Sequence, residues 1–217
     1  MQEWADAWGL PEAGIVPPTD YDKAYLEATI AAGRGSTSLF GMRLQQAYMP
    51  PLAATLARLY PDLHSDAERF ERAFGSLRYL HLTRLDKVAQ AVSLVKARQS
   101  GLWHRHADGS EKERVASEGE PVYDPAAIGA EVASLTRADR AWSAWFAQEQ
   151  IEPLRVIYET FGQRPAATIH EICVVLSVEP PDPTMMTPTV AKLSDNINQE
   201  WISRYRADER YDKDATS

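Results

Sequence analysis

Short apolar strands spaced between helices predict an α/β layered fold for this chain, and three stretches carry that prediction. Leu77 to Leu82 is a brief run of large residues, and Leu154 to Tyr158 is a second. The first run leads at once into an amphipathic helix, with Asp86 as a favoured N-terminal residue and Gly101 as a stop. At about 100° per residue, Val88, Ala91, Val92 and Val95 fall on one face of that helix, while Asp86, Gln90, Ser93 and Ala97 form the opposite stripe. Strands alternating with helices pack as layers about a sheet.

The remaining elements follow in order. Asp20 to Ala32 reads as a helix whose apolar side is Tyr21, Tyr25, Leu26 and Ile30, and Ser38 to Leu44 reads as a strand. Pro50 and Pro51 open a helix through Leu59, because proline is tolerated in a first turn. Ser65 caps a further helix over Asp66 to Phe74. His104 to Val115 carries Asp108-Gly109 and predicts a hairpin or an exposed excursion. Asp124-Pro125 opens the longest helix, to about Gln150, with Ile128, Val132, Leu135, Trp142 and Trp145 at helical spacing. Pro165 to Leu176 is another helix, and the proline-rich Glu179 to Pro188 reads as extended and structureless. Ser194 or Asp195 starts a last helix to about Ala207, and the polar tail from Asp208 reads as frayed. With no repeat and no linker, residues 1–217 read as a single domain. Three strands are few for a layered sheet.

At 217 residues the chain can bury one sizeable core. Its 23 Lys and Arg against 31 Asp and Glu leave a net charge of −8, which disfavours nonspecific nucleic-acid or membrane-surface binding, and no basic helix is present. No apolar run approaches the ~20 residues that span a bilayer. The opening MQEWADAWGL has no basic n-region or signal-like apolar core. A lone Cys173 in the apolar run IHEICVVL rules out an internal disulfide framework and reads as a buried hydrophobe. A reducing cytoplasm is the expected compartment.

Arg84 lies between the strand at Leu77 and the helix at Asp86. A strand that delivers an arginine to a helix N-terminus, with Ser93 two turns on, is chemistry suited to a phosphate. Free N–H groups and the helix dipole favour an anion there, and the guanidinium adds a fork of charged donors. By pattern alone the segment reads first as an ordinary buried helix beside a surface arginine.

RLDKVAQAVSLVKARQSGLWH resembles the 3′-phosphate-binding segment of bacterial sulfotransferases of the trehalose and lipopolysaccharide type, which transfer sulfuryl groups from 3′-phosphoadenosine 5′-phosphosulfate (PAPS). EWADAWGL, LFGMRLQQ, EPVYDPAAIGAEVASL, RAWSAWFAQEQIEPLRVIYE and VAKLSDNINQEWISRYRAD resemble the same family in the same order, over nearly the whole chain. The resemblance implies the sulfotransferase fold, which is P-loop-nucleotide-hydrolase-like, with a parallel sheet. It also implies that the family's phosphosulfate loop, first strand and first helix are missing ahead of Met1, a βα unit of roughly forty residues.

By this resemblance Arg84 and Ser93 contact the 3′-phosphate, although the Arg-to-Ser spacing is one residue longer than in the cytosolic animal enzymes. Asp86 and Gln90, on the same stripe, are expected to orient Arg84. Tyr158 matches the adenine-pocket tyrosine, with core packing as the competing role, and Lys192 matches a position near the nucleotide phosphates, with a solvated lysine as the alternative. Arg43 falls where relatives place a basic residue beside the sulfuryl group. Two residues on, the histidine base of the cytosolic enzymes is Gln45, and the resemblance puts the substitute glutamate in the missing segment.

The run Gly33 to Leu39 imitates a phosphosulfate loop, but such a loop follows a strand and opens a helix. Here a helix precedes it and a strand follows, so it reads as a solvated connector. His104 and His106 in WHRH lack further ligands, so no metal is expected. Trp142 and Trp145 read as core, and Trp103, beside polar loop residues, as the acceptor contact.

The function this implies is sulfuryl transfer from PAPS to a hydroxyl of a carbohydrate or glycolipid, often by a homodimer. The alternative is a non-catalytic domain that keeps only the 3′-phosphate contacts. With the loop and base absent, the chain as written is expected not to turn over PAPS.

Overall fold

The computed structural model describes residues 17–105, 110–114, 120–186 and 195–215. The chain divides into two compact units, Met1–Tyr79 with Ala141–Glu152, and Leu80–Arg140 with Pro153–Ser217.

In the first unit, α1 (Pro18–Arg34) is followed by a 3-10 turn (Gln46–Tyr48), α2 (Met49–Leu59) and α3 (Asp66–Phe74). Prolines sit in the first turns of α1 and α2, where no intrahelical N–H bond is lost. A complete capping box starts α3. The Ser65 hydroxyl accepts from the Glu68 N–H at 3.1 Å, and the Glu68 carboxylate accepts from the N–H groups of Ser65 (3.0 Å) and His64 (2.9 Å). Met49, Leu56 and Phe70 are the buried centre of this unit, with Leu26, Leu44, Trp142 and Trp145 packed around them.

The strand expected at Ser38–Leu44 is absent. The segment is irregular and forms no ladder, because its large residues are used otherwise. Phe40 stacks on Phe74 with centroids 5.9 Å apart, and its ring lies where a Cβ on Gly33 would come within 2.5 Å. Gly33 is therefore small to admit Phe40, not to cradle a phosphate. As expected, the run Gly33–Leu39 leaves a helix and opens none.

The second unit holds the sheet. β1 (Leu80–Thr83) pairs in parallel with β4 (Leu154–Ile157), Leu80 opposite Leu154 through Thr83 opposite Ile157. α4 (Lys87–Ser100) ends at Gly101, whose φ of 68° is the left-handed cap that glycine adopts without strain. Of the two expected forms, hairpin or exposed excursion, the chain adopts the hairpin, β2 (Leu102–Arg105) with β3 (Glu111–Arg114), antiparallel and irregular in register; the Asp108-Gly109 dipeptide lies outside the described residues. α5 (Pro125–Gln148), whose residues from Ala141 on belong to the first unit, is capped by Asp124, which accepts from the Ala127 N–H at 2.9 Å. β4 leads directly into α6 (Tyr158–Gln163) and then α7 (Pro165–Leu176), which buries Cys173. Within the loop at Glu179, Pro183–Met185 forms a 3-10 turn closed by Asp182 on the Thr184 N–H, so that segment is not structureless.

α8 (Asn196–Ala215) stays helical past Ala207, where fraying was expected. The Tyr123 hydroxyl donates to Asp208 at 2.7 Å and holds the helix one turn beyond the buried Tyr205. α4 and α8 make the core of this unit, with Ala91, Val92, Ile128, Trp201 and Ile202 buried together. β1 inverts the usual alternation: His81 is buried, while Leu80 and Leu82 are 39% and 61% exposed.

Candidate functional site

The turn from β1 into α4, Arg84 to Asp86, is held from several sides. Asp86 caps α4 by accepting from the Ala89 N–H at 3.0 Å. Lys87 Nζ donates to the Arg84 carbonyl at 2.6 Å and pairs with Asp139, which also accepts from the Thr83 hydroxyl at 2.8 Å. From the first turn of α6, Glu159 places its carboxylate across the turn. The Leu85 N–H donates to Oε2 at 3.1 Å and the Asp86 N–H to Oε1 at 3.2 Å. Burial opposes ionisation of Glu159, but the N–H groups of Leu85, Asp86 and its own residue, with the nearby Arg84 charge, outweigh it and hold the carboxyl below its usual range.

Arg84 sits in this frame. Its guanidinium carbon lies 4.7 Å above the centroid of the Tyr158 ring, within cation–π range. Its Nε is 3.7 Å from Glu159 Oε1, which is attraction without a hydrogen bond. Among the described residues, none accepts a hydrogen bond from this guanidinium. One face is thus covered by an aromatic ring and one edge by a carboxylate, and the donors remain for an outside acceptor. The resemblance-based pair Arg84 and Tyr158 is brought together.

Two expectations at this turn are corrected. The helix N-terminus is not open to an anion: the Lys87, Ala89 and Gln90 N–H groups bond to Leu85 O, Asp86 Oδ1 and Asp86 O, leaving only Val88 of the first four. Asp86 does not orient Arg84 by contact, because its carboxylate is engaged as the cap and with Arg206 at 2.8 Å. Burial disfavours the Asp86 charge, yet the Ala89 N–H, Arg206 and Arg84 together keep its pKa below the usual value. Gln90 keeps a buried Oε1 with no hydrogen-bond partner among the described residues.

The stripe carrying Ser93 packs partly against α8, and Asp86, Gln90 and Ser93 on it are half-buried. Asn198, only 2% exposed, donates to Ser93 Oγ at 3.2 Å and accepts from Lys96 Nζ at 2.9 Å, and Lys96 also pairs with Asp195. Ser93 still has its own O–H to give, since it acts as acceptor in that bond. Ala97 on the same stripe is buried.

Arg43 and Gln45 lie in the irregular segment ahead of the 3-10 turn, both exposed, in the first unit. Trp103 is half-buried on β2. Lys192 and His106 lie outside the described residues, and His104 is in β2. Among the described residues no group of three His, Cys, Asp or Glu could hold a metal ion, and no helix is long and apolar enough to cross a membrane. Sequence reasoning missed Glu159, Asn198 and Arg206. Asn198 had a signal, because it occupies the first position of the apolar stripe Asn198, Trp201, Ile202, Tyr205. Glu159 had only its place at a strand end beside Tyr158.

In the first unit, Trp142 and Trp145 pack with Phe146 as expected of core, at 5.8 and 5.3 Å between centroids. They also line a cavity of about 270 Å³ with Gln46, Met49, Asp66 and Gln148. Trp145 Nε1 donates to Asp66 at 3.1 Å, so that indole is fixed.

Comparison with known proteins gives this turn a context. A family model described as Stf0 sulphotransferase matches residues 1–208. The chain is 27% identical over 195 residues to a trehalose 2-sulfotransferase of Mycobacterium tuberculosis (strain ATCC 35801 / TMC 107 / Erdman), a match covering 88% of this chain and 70% of that protein. It is 28% identical over 133 residues to a trehalose 2-sulfotransferase of Mycolicibacterium smegmatis (strain ATCC 700084 / mc(2)155), covering 61% of this chain and 47% of that one.

Proposed function

Because the chain belongs to the Stf0 sulphotransferase family, we propose that it is a PAPS-dependent sulfotransferase domain acting on a hydroxyl of a carbohydrate or glycolipid. The observation that carries this reading is the Arg84 guanidinium, stacked on Tyr158 and without a hydrogen-bond acceptor among the described residues. A cation with free donors fits the 3′-phosphate that distinguishes this donor from other nucleotides. Arg84 and Ser93 take that phosphate, Tyr158 meets the adenine, and Lys192 lies by the other phosphates. Arg43 steadies charge at the sulfuryl group, and Trp103 contacts the acceptor. The donor supplies a sulfuryl group to in-line attack by the acceptor oxygen, leaving 3′,5′-bisphosphoadenosine. The protein's part is positioning and cationic stabilisation. The names of the two relatives support a sugar such as trehalose as acceptor. The domain works in the cytoplasm, as a homodimer, without a metal.

Calorimetric titration with 3′,5′-bisphosphoadenosine tests the donor site. Arg84→Ala, which removes a charged donor worth about 1.5–3 kcal/mol, should weaken binding by roughly one to two decades. Equal affinity in both proteins at moderate salt rejects the assignment.

One observation favours a second reading, a domain that binds the nucleotide without turning it over. The leucines of β1, Leu80 and Leu82, are exposed, whereas the faces of a parallel sheet are usually covered, and this supports a sheet that lacks part of its catalytic surroundings. The Gly33–Leu39 run does not supply such a loop. Sustained multiple-turnover transfer from radiolabelled PAPS by residues 1–217 would exclude this second reading.

A further inference from the structure

We infer that Glu159 is a positioning residue for donor binding, acting through Arg84; this rests on the reading of Arg84 as the 3′-phosphate contact. Three features of the site carry it. The Glu159 carboxylate spans the turn with two backbone hydrogen bonds, from Leu85 at 3.1 Å and Asp86 at 3.2 Å, contributed by residues more than seventy positions earlier in the chain. Its Oε1 faces the Nε edge of Arg84 at 3.7 Å. Its neighbour Tyr158 places a ring 4.7 Å under the same guanidinium. One dipeptide at the start of α6 therefore fixes the turn that carries Arg84, one edge of its guanidinium and one face.

The consequence is geometric. An arginine side chain loses rotamer freedom when it binds an anion, and less is lost when the fork is already held in place. With the Nε edge set against a carboxylate and one face set on a ring, the donors left over lie on the terminal nitrogens, which match two oxygens of a phosphate. The N–H groups of the turn are consumed by Glu159, so an incoming phosphate is taken by the guanidinium and not by the turn. Glu159 itself touches no ligand in this scheme. It keeps the turn closed and Arg84 aimed.

Titration with 3′,5′-bisphosphoadenosine of wild type, Glu159→Gln, Arg84→Ala and the double variant tests the inference, with adenosine 5′-monophosphate, which lacks the 3′-phosphate, as second probe. Glutamine replaces one carboxylate oxygen by a donor, so one backbone N–H and the Arg84 charge lose their partner. Glu159→Gln should weaken the bisphosphate roughly tenfold, a change of one well-made charged hydrogen bond. It should leave the monophosphate unchanged and add nothing in the Arg84→Ala background. Full additivity in the double variant, or equal loss for both nucleotides, makes Glu159 merely structural and overturns the inference. If Arg84→Ala weakens binding and Glu159→Gln does not, the inference falls and the donor reading stands. If Arg84→Ala has no effect, the donor reading fails first. Should Glu159→Gln not fold, Glu159→Asp, too short to reach both N–H groups, is judged by the same cycle.

Discussion

At the scale of single residues, the buried polar groups are what the sequence hides best. Arg84, Ser93 and Tyr158 could be picked out because a family motif surrounds them, but their partners could not. Glu159 lies more than seventy residues from the turn it closes, and Asn198 more than one hundred from Ser93. Local spacing carries no information over such separations. Asn198 also shows how a violated pattern marks a partner, since an amide in an apolar stripe must find donors and acceptors or cost stability. Here it finds Ser93 and Lys96. Asn198→Ala should destabilise the protein by about 1–3 kcal/mol, because it strips both groups of a buried partner. Urea denaturation of wild type and variant measures this. A loss under half a kilocalorie would mean that water replaces the amide at that place.

Elements with local start and stop signals were legible, and those needing a distant partner were not. Ser65 with Glu68 three residues on, Asp86 with Gly101 fourteen residues after the first helical position, and Asp124 before Pro125 each announce a helix that the structure contains. The run LFGMRL has strand-like composition, but a strand also needs a neighbour to bond with, and among the described residues none pairs with it. Its phenylalanine goes to Gly33 and Phe74 instead. The frayed end expected after Asp208 failed for a similar reason, since the Tyr123 hydroxyl that holds it comes from far back in the chain. The capping box offers a clean test at this scale. Ser65→Ala should cost about 1 kcal/mol, within the usual range of 0.5–2, while Ser65→Asp should retain most of the stability. Thermal or chemical melts of the two variants check it, and equal losses in both would show that the hydroxyl bond contributes nothing.

At the scale of the whole molecule, the α/β character and the order of elements were readable from periodicity, whereas the extent of the sheet was not. Among the described residues it consists of the β1–β4 pair and a separate hairpin. The inverted alternation of β1 also gives the acid response of the protein its shape. His81, inside that strand, has its pKa lowered from 6.5 chiefly by burial and by the charges of Arg155 and Lys87, with Asp139 opposing. An unfolded chain therefore takes up a proton at this histidine near its ordinary pKa, and the folded chain only at lower pH. Stability from a neutral His81 is complete above about 6.5 and declines as pH falls through that value toward the lowered one, by at most about 1.36 kcal/mol per pH unit for one group. Asp86, Asp195 and Glu159 have lowered carboxyl pKa values and act later. Their stabilisation is present above the ordinary carboxylate range and is lost as pH drops below about 4.5. The melting temperature should thus fall in two stages between pH 8 and pH 3. His81→Asn should flatten the first stage and leave the second. If calorimetric scans show the same slope between pH 7 and pH 5 with and without the histidine, the first stage belongs to other groups, and the burial of His81 does not govern how this protein meets acid.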